Sequence, residues 1–140
     1  MSLIKGFFKL SHDRKSLLII SVVLIISIRI FLYIFSFSRI YSISNKLARI
    51  KINQNNPKQI LDVVWSVRVV AYHIPKATCL VQAIVAQILM THYNYDSILR
   101  IGVNKSNNFE AHAWLEKDNK IILGESSMDF VPILDLEPKI

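Results

Sequence analysis

The sequence predicts an α+β fold in which helices come first and a small antiparallel sheet follows. Two observations carry this reading. Apolar residues recur at helical spacing as far as Tyr93, and from Asp96 onward they alternate. A third observation bounds it: 140 residues make one domain, long enough to build a core without disulfide or metal staples. Within that domain, residues 1–55 read as an apolar helical region, packed on the core or membrane-associated, and residues 56–140 as the part that carries chemistry.

The first element is Leu17 to Phe37, LLIISVVLIISIRIFLYIFSF, in which Arg29 is the one charged residue. At about 1.5 Å per residue the run is long enough to cross a bilayer core. Its apolar side chains outweigh the roughly 2.5–3.5 kcal/mol that a mid-helix arginine costs on insertion scales. It suits equally the central helix of a small helical layer, apolar nearly all round. SFSRIYSIS offers no small-residue cleavage site, so a signal peptide is disfavoured. Residues 42–58 are polar and read as a short helix and a loop. The next helix follows Asn56 as cap and Pro57 at the first helical position, with Ile60, Val63, Val64, Val67 and Val70 on its packing side. Pro75 ends it. The last helix runs from about Thr78 to Tyr93.

The sheet is legible from alternation. In DSILRIGVN, Leu99, Ile101 and Val103 share a face. KSNN is a turn. In FEAHAWLEK, Phe109, Ala111, Ala113 and Leu115 face one way, and Glu110, His112, Trp114 and Glu116 the other. Asp118-Asn119 is a short turn before KIILGE, and MDFVPILDLE supplies a last short strand.

Composition narrows the chemistry. A single cysteine excludes an internal disulfide and suits a reducing, cytoplasmic setting. His12, His73, His92 and His112 are far apart, and none makes a ligand pair with Cys79 at zinc-site spacing, so no metal is expected. The net charge of +7 could suit nucleic acid or an anionic membrane. The basic residues flank the apolar run instead of forming a stripe: Lys5, Lys9, Arg14 and Lys15 precede it, and Arg39, Lys46, Arg49 and Lys51 follow. That pattern favours a membrane surface and gives no support to nucleic acid.

Thr78 is a good cap, which places Cys79 at the first helical position. There a thiolate faces unpaired backbone N–H groups and the positive end of the helix dipole, which is how nucleophilic cysteines are made. His112 lies on a strand between two alanines, beside Trp114, and is the candidate general base. A two-residue turn at Asp118-Asn119 would set Trp114 opposite Leu123 and His112 opposite Glu125, so that Glu125 could orient the imidazole. A three-residue turn would put Gly124 there instead. Asp118 is too far along the strand to serve. Gln82, one turn after Cys79, reads as an ordinary polar helix residue or a support for the site, and Trp114 as a pocket wall or core aromatic. His73 and His92 carry no assigned role.

PKATCLVQA, LRIGVNK, FEAHAWLE and IILGE together resemble the leader-peptide-cleaving protease family of lasso-peptide biosynthesis, over about residues 57–134. The resemblance implies a transglutaminase-like fold, a Cys79 nucleophile, a His112 base and no cofactor. The family's acid is often an aspartate on the strand after the histidine, where this chain offers Glu125. The first 50 residues read as the apolar helix and its flanks, not as the leader-recognition domain that some members of the family carry. The resemblance therefore implies a separate recognition protein as partner, a precursor peptide as substrate, and an ATP-dependent macrolactam synthetase acting on the product. The rival readings are an acyltransferase that passes the thioester to an amine, and a membrane-anchored, non-catalytic adaptor.

Overall fold

The computed structural model describes residues 12–48, 60–74, 78–93, 95–104, 110–125 and 130–136. Among the described residues four helices, α1 (His12–Ile34), α2 (Phe37–Ala48), α3 (Ile60–His73) and α4 (Cys79–His92), precede four strands, β1 (Ile98–Asn104), β2 (Glu110–Lys117), β3 (Lys120–Leu123) and β4 (Val131–Leu136). The strands form one antiparallel sheet in the order β3-β2-β1-β4. The fold is α+β, as the change of period predicts. The Asn56 cap with Pro57, the Pro75 break and the turn before Glu110 lie outside the described residues.

The apolar run divides where one continuous helix was expected. α1 closes at Ile34, with a last backbone bond from the Phe35 N–H to the Phe31 carbonyl. The Ser36 carbonyl then accepts from the Ile40 N–H and opens α2. Serine is at home at such a start, because its short polar side chain competes with helix continuation.

The central helix of the layer is α4, not the longer α1. α1 enters the core on one side only, through residues such as Leu17, Ile25 and Ile28. The helix buried on most sides is α4, where Val81 and every residue from Ala83 to Met90 are buried. Between Cys79 and Met90 it carries no charge, and Ala83 and Ala86 let neighbours approach closely. Val63 and Val67 of α3, Ile40 of α2 and the sheet residues Leu99, Ala113, Leu115 and Leu123 join it in one core. Gln87 is buried within α4, and its Nε2 donates to the Leu136 carbonyl at 3.0 Å and the Ser97 carbonyl at 3.4 Å. That side chain ties α4 to one end of the β1–β4 pair, where the start of β1 meets the end of β4.

The β2–β3 turn has two residues, with φ of 52° at Asp118 and 65° at Asn119. Both values suit the primed turn that joins twisted strands, and Asp and Asn tolerate them better than most residues. Lys117 pairs with Lys120 and Glu116 with Ile121, as the turn requires. A bulge then shifts the register, so that Leu115, not Trp114, faces Leu123. The extra residue on β3 removes the premise that set His112 opposite Glu125.

α1 and α3 meet at a buried hydroxyl pair: Ser21 Oγ donates to Ser66 Oγ at 3.1 Å, and Ser66 Oγ donates to the Val63 carbonyl at 2.7 Å. Ser66→Ala takes away the acceptor of a buried donor and should cost about 1–3 kcal/mol. Adding Ser21→Ala should recover part of that loss, because both partners are then apolar. Urea unfolding of the two single variants and the double variant reads this coupling directly.

Candidate active site

Cys79 occupies the first turn of α4 because Thr78 caps it. Thr78 is extended, with φ −69° and ψ 166°, and its side chain accepts from the Val81 N–H at 3.4 Å. The Thr78 carbonyl takes the Gln82 N–H at 3.0 Å. Cys79 itself is half-buried, a free thiol packed against the edge of the core. Its backbone N–H belongs to the first turn, whose donors have no partner within the helix. Gln82 is half-buried one turn further on.

His112 stands opposite Gly102 on β1, and Trp114 stands opposite Arg100. Alternation puts these residues and Glu116 on one face of the sheet, while Leu99, Ala113 and Leu115 enter the helical core on the other. The imidazole is held from three sides. Its Nε2 lies 2.6 Å from the Gly124 carbonyl. The Trp114 ring lies nearly parallel to it, with centroids 6.0 Å apart, and the Phe130 ring is 5.0 Å away.

The Gly124 contact decides the tautomer. A carbonyl oxygen only accepts, so Nε2 must carry the hydrogen. In the neutral ring Nδ1 then keeps its lone pair, which makes it the nitrogen able to take a proton.

Two glycines shape this arrangement. Gly124 has φ +90°, and a Cβ there would stand 3.0 Å from the Ala113 carbonyl oxygen and from the Trp114 Cα. Close approach and left-handed backbone together turn its carbonyl toward the ring. At Gly102, a Cβ would fall 2.7 Å from Trp114 Cη2, so the indole occupies the space that this glycine leaves open. The far edge of the indole is pinned as well. Trp114 Nε1–H donates to Glu116 Oε1 at 2.7 Å, and Arg100 Nε meets Glu116 Oε2 at 2.9 Å. Arg100 Nη1 reaches Asp135 of β4 at 3.8 Å.

The remaining sequence candidates fall elsewhere. Glu125 is 72% exposed at its side chain and pairs with Arg68 of α3 at 3.8 Å. Its neighbour's carbonyl, not its carboxylate, meets His112. Asp118 sits in the turn with Lys117 at 3.8 Å. No hydrogen bond joins Cys79 to His112 among the described residues. The structure brings His112, Trp114, Phe130 and Gly124 together, with Cys79 at the start of α4. Among the described residues no group of three His, Cys, Asp or Glu could hold a metal ion.

Sequence reasoning missed the Gly124 carbonyl, Phe130 and the Arg100–Glu116 brace. A glycine just past the last apolar residue of a strand was the available signal for the first. Phe130 gave none, since nothing in a loop's composition says where its aromatic will fold back. Gly124→Ala should destabilise the chain by about 1–3 kcal/mol through backbone strain. It should also turn the carbonyl off the imidazole, and ¹⁵N chemical shifts of His112 report that. Wild type should show the Nε2–H form, and the variant a mixture of both tautomers.

A scan of protein families matches residues 22–135 to the pattern described as the transglutaminase-like superfamily, a span that holds Cys79, His112 and Glu125. No curated protein and no solved structure matches the chain significantly. With a match over most of its length, the chain belongs to the transglutaminase-like superfamily, which includes cysteine peptidases and acyltransferases.

Proposed function

We propose that the protein is a cysteine peptidase in which Cys79 is the nucleophile and Nδ1 of His112 the general base. The observation that carries this reading is the short contact between His112 Nε2 and the Gly124 carbonyl, which leaves Nδ1 as the proton-accepting nitrogen. In acid-assisted triads a carboxylate holds the far nitrogen of the imidazole. Here a backbone carbonyl takes that place, and Glu125 is assigned to the α3 contact instead.

The reaction is acyl transfer to water. His112 Nδ1 accepts the Cys79 thiol proton as sulfur attacks the peptide carbonyl carbon, and the oxygen becomes an oxyanion. The Cys79 backbone N–H, at the open end of α4, is the donor available to stabilise it. Collapse of the intermediate breaks the C–N bond, and His112 returns its proton to the departing amine. Water then attacks the thioester carbon and gives one proton to His112. The C–S bond breaks, releasing a carboxylic acid and restoring the thiol. We assign the thiol–imidazole hydrogen bond to the substrate complex, where catalytic hydrogen bonds commonly tighten.

The substrate proposed is the leader segment of a lasso-peptide precursor. Its support is the resemblance carried by TCLVQA around Cys79 and AHAWLE around His112. A separate leader-recognition protein would present the precursor, and a macrolactam synthetase would consume the freed amine, all in the cytoplasm. Gln82, one turn after the nucleophile, and Trp114, stacked on the base, are proposed as supports of the site.

The test is the intact mass of a candidate precursor after incubation with the protein and its recognition partner. Cys79→Ser and His112→Asn should each lower cleavage by about a thousandfold or more, as loss of either member of a catalytic pair does. Glu125→Gln should stay within roughly threefold of wild type, because an exposed ion pair contributes little. A Glu125→Gln variant as inactive as Cys79→Ser would return the acid role to Glu125. Transfer to an added amine in preference to water would move the reading to an acyltransferase.

A further inference from the structure

α1 buries only one of its sides. Leu17, Ser21, Ile25 and Ile28 are enclosed by the core, whereas Ile19, Val23, Ile26, Ile30, Tyr33 and Ile34 are exposed. At 100° per residue these six share an arc of about 100°, so they form one continuous apolar stripe along the helix. Apolar exposure on that scale marks an interaction surface in a folded chain.

The charge of the N-terminal part of the sequence says what the stripe meets. Between Asp13 and Asp62 the sequence has eight Lys and Arg and no acidic residue. Residues 1–61 carry a net charge of +9 and residues 62–140 a net charge of −2. Lys15 lies at one end of the stripe. At the other, Arg39 of α2 stacks its guanidinium 5.9 Å from the Phe35 ring. We propose that this face of α1 lies in the plane of an anionic membrane surface, with the stripe among the acyl chains and the basic residues at the headgroups.

An apolar helix face with basic residues at its ends and a tyrosine near one of them is the chemistry of a lipid interface. A second copy of the chain would instead bring an equally basic rim against this one, at a cost in charge repulsion. Length and composition alone would let Arg14–Ile34 span a bilayer. The buried side argues for lying flat. Leu17, Ile25 and Ile28 cover α3 and α4, and Ser21 holds Ser66, so a spanning helix would strip the core of its cover. Lying flat also leaves Arg29 beside the stripe, where its guanidinium reaches the headgroups without crossing hydrocarbon.

The test is flotation of the full-length protein with vesicles of phosphatidylcholine alone, or with about 30% phosphatidylglycerol. Wild type should float with the anionic vesicles, at least about tenfold more than with neutral ones, and high salt should weaken it. Alkaline carbonate should release it. The double variant Val23→Asp/Ile30→Asp, altered only at exposed positions, should melt as wild type does yet lose binding at least about tenfold. Should that variant not fold, the lipid and salt comparisons on wild type still decide. Three results would overturn the proposal: equal or absent binding to both vesicles, resistance to carbonate (a spanning helix), or a dimer in solution that the variant dissolves without any vesicle binding. None of these readouts depends on the reactivity of Cys79, so they stand apart from the fate of the peptidase reading.

Discussion

Everything in this molecule is arranged around the burial of α4. A charge-free helix with alanines at two inner positions can be enclosed by α1, α2 and α3 on its outer sides and by the sheet on another. Burial of that many apolar side chains is the main favourable term in a domain of this size. It also fixes where the helix begins. Because Val81 and Ala83 are the first enclosed residues, the turn that holds Thr78 and Cys79 emerges at the margin of the core. Cys79 is thereby held by the helix yet only half-buried, a compromise that suits the nucleophile proposed there.

The sheet solves a different problem. Its inner face, Leu99, Ala113 and Leu115, packs on the helices, and its outer face carries rings and charges. A histidine on the outer face has no core to hold it, so it is held by neighbours on its own layer. Gly102 makes room for the indole, Glu116 and Arg100 fix the far end of that indole, and Gly124 turns its carbonyl into the imidazole. The effect is a ring with one nitrogen committed and the other left with a lone pair. Orientation of the imidazole is here a property of backbone geometry, which favours glycine at position 124.

Much of this was legible in the residues. The change from helical to alternating period at Asp96 gave the α+β order, and Thr78 before an apolar run gave the start of α4 within a residue. The alternation in β2 put His112 and Trp114 on a shared face. What failed to show were features that a local pattern does not encode. Ile121, Ile122 and Leu123 are all apolar, so alternation could not register the bulge that takes Glu125 away from His112. Leu17–Phe37 is more apolar than Cys79–His92, yet the shorter helix is the enclosed one, because position in the packing depends on which neighbours arrive on every side. The Gly124 carbonyl escaped for a simpler reason: a backbone atom leaves no trace in residue identity except the glycine that frees it.

The account rests on a thioester at Cys79, and the protein's own mass tests that most directly. A reaction with the precursor and recognition partner would be quenched in acid within the first turnover and the intact protein weighed. The account predicts an adduct of the leader segment on Cys79, removed by hydroxylamine and missing from Cys79→Ser. Cleavage that proceeds with no adduct at any quench time, and equally well in Cys79→Ser, would contradict it.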